Sequence, residues 1–227
     1  VFLCFATQIS TTLNFFSKKV KMTSMFKFID FLFFGWIVNL FYPEYYRPKY
    51  GYQRYYILFF HYIIPQFFFR LNPKVKWPVH FTSKVMAPQN IKKGILCDPG
   101  DSINNYIQAN NGIVFGSNIE FGPGVNIISS NHDNANFKKH IKAKPIVIGN
   151  NVWIGANSTI LPEVSIGNNV VIGANSLVSK DIPSNSIVVG NPCKIIKQKE
   201  AYTEDFSKII FNKKIPNSFV AFINTNA

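Results

Sequence analysis

The second half of this chain repeats every six residues. From Ile148 onward the aliphatics Ile148, Ile154, Ile160, Ile166, Ile172 and Val178 hold that spacing without a miss. Glycine follows four of them, at Gly149, Gly155, Gly167 and Gly173. A companion column, Val152, Ser158, Val164, Val170, Ser176 and Ile182, recurs four places later. A period of six matches neither a helix nor a two-sided strand. It fits a parallel β-solenoid, in which short strands alternate with turns and one aliphatic of each hexad points inward. A single hexad cannot bury its apolar face, so stacking is compulsory.

The rhythm also runs upstream. Ile103, Ala109, Phe115, Phe121 and Ile127 keep the spacing, with Ile107, Ile113, Ile119 and Val125 as companions. Val85, Ile91 and Cys97 extend it more weakly. The step from Ile127 to Ile148 is not a multiple of six. A loop must therefore leave the solenoid between about Asn131 and Pro145. This loop is polar, basic and without apolar period. Loops on rigid scaffolds carry chemistry disproportionately, which draws attention to its histidines. Asn168 and Asn169 read as turn residues, tolerant of substitution.

The stretch 146–197 contains Ile-Gly-Asn-Asn-Val-Trp-Ile-Gly-Ala (148–156), Gly-Asn-Asn-Val-Val-Ile-Gly-Ala (167–174), Lys-Asp-Ile-Pro (180–183) and Gly-Asn-Pro-Cys-Lys (190–194). It resembles the hexapeptide-repeat acyltransferases. The nearest likeness is to their maltose/galactoside O-acetyltransferase branch and to the acetyltransferases of surface-polysaccharide gene clusters. The resemblance covers roughly residues 85–197. It implies a mainly β fold, a left-handed parallel β-helix with three hexads per coil, against the usual right-handed preference of parallel connections. Residues 85–189 would supply about six coils at six residues per hexad. It also implies a homotrimer with active sites between neighbouring prisms. The expected organisation is an aromatic, helical N-terminal region (1–84), the β-helix domain (85–197) and a C-terminal tail (198–227).

Net charge is +13, with 16% aromatic residues, much of that outside the hexads. No nucleic-acid-binding motif accompanies the charge. A polyanionic cofactor or an anionic membrane face suits it better. The segments Phe26–Tyr42 and Ile57–Phe69 are apolar, interrupted, and shorter than the roughly 20 residues of a membrane span. They read as two helices packed on the solenoid's end, joined by the aromatic, basic stretch Tyr42–Tyr56. Trp36, the tyrosines, Arg47, Lys49 and Arg54 make peripheral membrane contact a second expectation. Val1–Phe16 lacks the basic start of a secretory signal, and residues 1–21 read as a disordered extension before a natural start at Met22 or Met25. Cys4, Cys97 and Cys193 have no metal or redox spacing and read as reduced thiols, Cys97 in an inward column. The expected location is cytoplasmic, at the inner face of the membrane.

Acetyl transfer from a thioester to a hydroxyl needs a base that removes the proton as the oxygen attacks. Histidine suits that role near neutrality. Of four histidines, His80, in Trp-Pro-Val-His-Phe, reads as structural and His61 lies outside the repeats. His140 sits among lysines at the far side of the loop, where a solvated ring is expected. His132 stands where the resemblance places the catalytic base. Asn131 and Asp133 flank it and either bind acceptor hydroxyls, orient the ring or shape the loop. The resemblance also calls for a polar side chain from a preceding coil, and Asn104, Gln108 and Asn110 are candidates. After His132 the loop departs from the galactoside enzymes with Asp-Asn-Ala-Asn (133–136), which leaves the acceptor open.

The cofactor implied is acetyl-CoA, without metal. Ala156 and Ala174 stand eighteen residues apart and would stack on one wall beside the pantetheine arm. Trp153 points outward if Val152 and Ile154 point inward. Ser179 and Lys180, with Pro192, Lys194 and Lys197 beyond, offer contacts for the CoA phosphates. The expected function is O-acetylation of a sugar hydroxyl in a surface polysaccharide or its precursor. An amino sugar, serine or an antibiotic as acceptor, and a non-catalytic solenoid scaffold, are the alternatives. A γ-carbonic anhydrase type lyase would need three converging His ligands, and only His132 and His140 lie in or beside the repeats.

Overall fold

The structure, a computed structural model, describes Phe26, residues 29–42 and residues 55–203. Expectations about residues 1–21, about most of the link between the N-terminal helices, and about the tail beyond residue 203 fall outside the described residues. The chain divides into two compact units, Val1–Ile64 and Pro65–Ala227.

The larger unit is a left-handed parallel β-helix with three flat walls. Strands are numbered in chain order. The first wall stacks β1 (Lys84–Met86), β3 (Tyr106–Gln108), β6 (Asn126–Ile128), β9 (Thr159–Ile160) and β12 (Leu177–Val178). The second stacks β2 (Ile91–Lys92), β4 (Ile113–Phe115), β7 (Ile146–Ile148) and β10 (Ser165–Ile166). The third stacks β5 (Ile119–Phe121), β8 (Val152–Ile154), β11 (Val171–Ile172) and β13 (Ser186–Val189), then β14 (Lys194–Gln198). Five strands in the first wall mean five coils rather than six. The difference arises because residues 98–105 and 131–145 are connections, not hexads.

Six-residue periodicity is explained by the corners. Ile148, Ile154, Ile160, Ile166, Ile172 and Val178 are each 2% exposed or less. The companion column is buried as well, from Val152 through Ser158, Val164, Val170 and Ser176 to Ile182. Two residues per hexad therefore point inward, not one. The companion of one hexad and the aliphatic of the next lie two apart on one strand, as Val152 and Ile154 do on β8, and so share a face. Inward serines are satisfied by backbone: Ser158 Oγ donates to Gly173 O (2.9 Å), and Gly190 N–H donates to Ser176 Oγ (3.1 Å). Upstream, Ala109, Phe115, Phe121 and Ile127 are buried, but Ile103 is 45% exposed in the irregular connection before β3. The upstream column thus begins at Ala109, with Val85 and Cys97 inside the first coil.

The Gly-Asn-Asn corners between the second and third walls form two asparagine ladders. In one, Ser117 N–H donates to Asn150 Oδ1, and Asn150 N–H donates to Asn168 Oδ1, each at 2.7 Å. In the other, Asn118 Nδ2 donates to Asn151 Oδ1 (3.1 Å) and Asn169 Nδ2 to Asn185 Oδ1 (2.7 Å). Asn118, Asn151, Asn169 and Asn185 all have φ between 58° and 60°, the left-handed region that asparagine tolerates better than most residues. Asn169 is buried and Asn168 bonds across coils, so neither is the freely replaceable turn residue expected. The short amide both accepts the strained conformation and satisfies the next coil's backbone, which explains its recurrence.

Both ends of the prism carry added chain within this unit. At the first coil, Val75 and Val79 join the core, and buried Gln66 bonds to Val75 O (2.8 Å), Trp77 O (3.2 Å) and Val79 N (3.3 Å). At the last coil, β14 turns back antiparallel on β13. Lys199 Nζ then donates to Asn169 Oδ1 (2.7 Å).

The smaller unit is helical, as expected. A wide π-type turn, Phe31–Gly35, continues into helix Trp36–Phe41. A second helix, Tyr55–Leu58, continues in π form as Phe59–Phe68. The unit's core is Val38, Tyr42, Leu58, Tyr62 and Ile63. Buried Asp30 accepts the N–H groups of Tyr55 (2.9 Å) and Tyr56 (2.8 Å), satisfying donors that a helix start leaves orphaned. No described helix is long and apolar enough to cross a membrane.

Candidate active site

The loop expected between residues 131 and 145 leaves the corner between the first and second walls in the third coil. It folds back on itself. Asp133 N–H donates to Lys139 O and Ile141 N–H to Asn131 O, both at 2.9 Å. These bonds set His132 opposite His140 in a short antiparallel bridge. His140 is therefore not remote from His132, because the chain between them is a turn. Asp133 builds that turn: its Oδ1 accepts the N–H groups of Ala135 (2.7 Å) and Asn136 (3.1 Å). Its contacts shape the loop.

His132 is exposed, and its Nδ1 lies 2.5 Å from the Phe137 carbonyl. A carbonyl only accepts, so in the neutral ring Nδ1 carries the hydrogen. Nε2 is then left with the lone pair of an exposed ring. An imidazole held in this tautomer can take a proton from a hydroxyl brought to Nε2.

Under the loop lies a polar cluster from the preceding coil. Gln108 stands on the outward side of β3 yet is buried. Its Oε1 accepts Ser130 N–H (3.0 Å), and its Nε2 reaches Ser130 O (3.3 Å) and Oγ (3.2 Å). Asn110 Nδ2 reaches the same Oγ (3.5 Å), which also faces His140 Nδ1 (3.4 Å). Asn111 Nδ2 ties Ser129 O (3.0 Å) to Ile141 O (2.9 Å), closing the base of the loop. Of the acceptor candidates, Asn131 and Asn110 thus stand at this corner. Asn104 is at the opposite end of β3, in a left-handed turn with φ 57°. Ser130, Asn111 and His140 were not singled out as site residues. The signal for the first two was present, since both stand one coil apart at the corner that emits the loop.

The residues considered for CoA fall into three groups. Trp153 is 58% exposed on the third wall, in register with Glu120 below and Val171 above. Partial burial raises the Glu120 carboxyl above its usual range. Ala156 and Ala174 stack at the corner between the third and first walls, where Asn175 N–H donates to Ala156 O (2.8 Å). Ser179 and Lys180 are exposed at the corner between the first and second walls, two coils beyond His132 in the same column. Pro192 lies in the terminal hairpin turn, and Lys194 and Lys197 on exposed β14. Lys180 and the alanines thus occupy different corners of one chain, with Lys194 and Lys197 on the third wall. Small side chains at the alanine corner leave backbone accessible, which fits a narrow amide-bearing arm. Among the described residues no group of three His, Cys, Asp or Glu side chains converges as metal ligands do. His80 is buried, with Nδ1 2.8 Å from Thr82 Oγ1.

A family model described as "Bacterial transferase hexapeptide (six repeats)" matches residues 145–180. The Saccharomyces cerevisiae protein named "Putative acetyltransferase YJL218W" is 35% identical over 135 residues, which are 52% of this chain and 68% of that protein. Protein CapG of Staphylococcus aureus is 61% identical over 71 residues, 31% of this chain and 41% of that protein. The solved maltose O-acetyltransferase of Clostridium difficile 630 is 35% identical with a TM-score of 0.41, over 53% of this chain and 61% of that one. The chain thus spans about two thirds of the yeast relative and about two fifths of the staphylococcal one. With the hexads stacked into a β-helix and a match running along two thirds of the yeast protein, the chain belongs to the hexapeptide-repeat acyltransferase family.

Proposed function

We propose that this protein is an acetyl-CoA-dependent O-acetyltransferase acting on a sugar hydroxyl, in a surface polysaccharide or its precursor. The observation that carries this reading is His132, exposed on the loop that leaves the prism, with Nδ1–H committed to the Phe137 carbonyl. His132 Nε2 takes the proton of the acceptor hydroxyl as its oxygen attacks the thioester carbonyl. The new C–O bond forms, the C–S bond breaks, and the proton passes to the departing thiolate. Backbone N–H groups at the corner stabilise the oxyanion. Asn131, Asp133 and Asn110 offer amide and carboxylate groups to acceptor hydroxyls. Trp153, Ala156 and Ala174 line the arm of the donor, and Ser179, Lys180, Pro192, Lys194 and Lys197 meet its phosphates.

The two corners also support a trimer. A wall strand of three residues separates them by roughly 10 Å in one chain, at about 3.3 Å per residue. Packing prisms side by side would bring the Lys180 corner of one protomer toward the alanine corner of the next. The test is thiol release from acetyl-CoA with a panel of glycan acceptors, for wild type and His132→Ala. Turnover should fall about 10²-fold or more in the variant, with CoA binding retained. Undiminished turnover in the variant would favour a different base, and no turnover in wild type with any acceptor would favour a scaffold. Comparison of cell-surface glycans with and without the protein by mass spectrometry identifies the acceptor.

Exposed apolar side chains of the helical unit favour a second element of this reading. Leu32, Phe33, Trp36 and Leu40 are exposed on the first helical segment, and Phe60 on the second. The sequence of this unit carries seven Lys and Arg against two acidic residues. An anionic membrane surface, at the inner face of the cytoplasmic membrane, matches both features. Co-sedimentation with phosphatidylglycerol vesicles but not phosphatidylcholine vesicles is the expected result, lost on Trp36→Ser with Leu40→Ser. Equal sedimentation of that variant would overturn it.

A further inference from the structure

We propose that His140 is a positioning residue for His132, fixing the orientation of the base ring; the inference rests on the base assignment above. The geometry begins with the backbone. His132 and His140 are flanked by the bonds Asp133 N–H to Lys139 O and Ile141 N–H to Asn131 O. Neither histidine exchanges backbone bonds with the other. This is the non-hydrogen-bonded type of antiparallel pair, in which facing side chains are closest. The two imidazoles accordingly lie with centroids 4.5 Å apart and planes 35° from parallel.

His132 alone has one restraint on its ring, the bond from Nδ1 to Phe137 O. That bond selects a tautomer, but by itself, in solvent, it opens readily, and the ring that swings off it loses both its orientation and its tautomer preference. His140 supplies the second restraint by covering one face. It is itself held from below: Ser130 Oγ lies 3.4 Å from His140 Nδ1, and Ser130 is gripped on its N–H, O and Oγ by buried Gln108. Asn111 fixes the strand on the other side through Ile141 O. A continuous chain thus runs from the rigid second coil, through Gln108, Ser130 and His140, to the base. A reacting group must be held within fractions of an ångström, so a ring that supports the base changes turnover without touching substrate.

The test compares His132→Ala, His140→Ala, His140→Phe and His140→Asn. Turnover is read as thiol release from acetyl-CoA with methyl β-galactoside as probe acceptor. A second readout, independent of activity, is the imidazole ¹⁵N spectrum of His132 at fixed pH. His140→Ala should lower kcat about 10- to 100-fold with the KM for acetyl-CoA unchanged. His140→Phe, which keeps a stacking ring, should recover more of kcat than His140→Asn, which keeps only a polar partner for Ser130. In the spectrum, wild-type His132 should show the Nδ1–H tautomer, and His140→Ala a mixture of both. Full kcat in His140→Ala, or an unchanged His132 tautomer there, overturns the positioning role. If His132→Ala is itself fully active, the base assignment fails first. A silent His140→Ala beside an inactive His132→Ala refutes the positioning role alone.

Discussion

Asn169 Nδ2 lies 2.7 Å from Asn185 Oδ1 one coil above, while its own backbone sits at φ 59°. One side chain thereby solves two problems of a tight solenoid corner. It tolerates a left-handed turn, and it links successive coils where side-chain room is scarce. Its Oδ1 also receives Lys199 Nζ, so the same residue anchors the segment that follows β14.

Replacing Asn169 with Val should therefore destabilise the fold by about 2–4 kcal/mol, combining left-handed strain on a β-branched residue with lost buried bonds. Asn169→Gly should cost less, because glycine accepts the turn and loses only the bonds. Chemical denaturation of the two variants measures the difference. Equal loss in both would mean that the bonds alone, not the conformation, decide.

Ile166 is stacked between Ile148 on β7 and the Ile182 bridge. Ile166→Ala should cost about 2–5 kcal/mol, since flat walls collapse poorly around a gap. Ile166→Asp should abolish folding, because no partner for a charge lies among the surrounding aliphatics. A thermal scan in which the Asp variant melts like wild type would refute the inward column.

Lys180→Ala should raise the KM for acetyl-CoA, and the effect should shrink as salt rises, because an exposed contact to phosphate is screened. Dephospho-CoA should respond less to the same change. Isothermal titration at low salt checks this. Equal affinity of wild type and variant would leave Lys180 a solvated surface charge.

Asp101 is pushed up to about 7, first by burial and then by the Glu120 carboxylate. Its folded value lies above its unfolded value of 3.8. Between these values the folded state binds the extra proton, so Asp101 makes stability fall as pH rises from about 4 to 7, and level off above. Asp101→Asn should flatten that decline and gain most relative to wild type near pH 8. Urea midpoints measured across this range test it; parallel curves for the two proteins would show that Asp101 does not titrate with folding.

The six-residue spacing by itself determined the solenoid. Only an aliphatic returning to the same interior column at each corner explains Ile148 to Val178, and the failed register after Ile127 located the loop. Aliphatic burial is a one-dimensional signal, repeated often enough to be read without coordinates. The assignment of His132 as base drew on its place after the hexad that precedes the loop and on the family resemblance, and it remains the proposal tested above. The tertiary structure decided what depends on distance across coils. Gln108 and Ser130 meet because stacking puts residues some twenty apart in contact; the hexad spacing puts both at one corner, but their bonds to each other form only across coils. Asn104 and Asn110 looked equivalent in sequence, yet β3 separates them to opposite corners. His140 came to face His132 through two backbone bonds across a turn, a pairing that no periodicity encodes. Periodic burial is written along the chain; the chemistry at a corner is written between coils, where only folding brings the parts together.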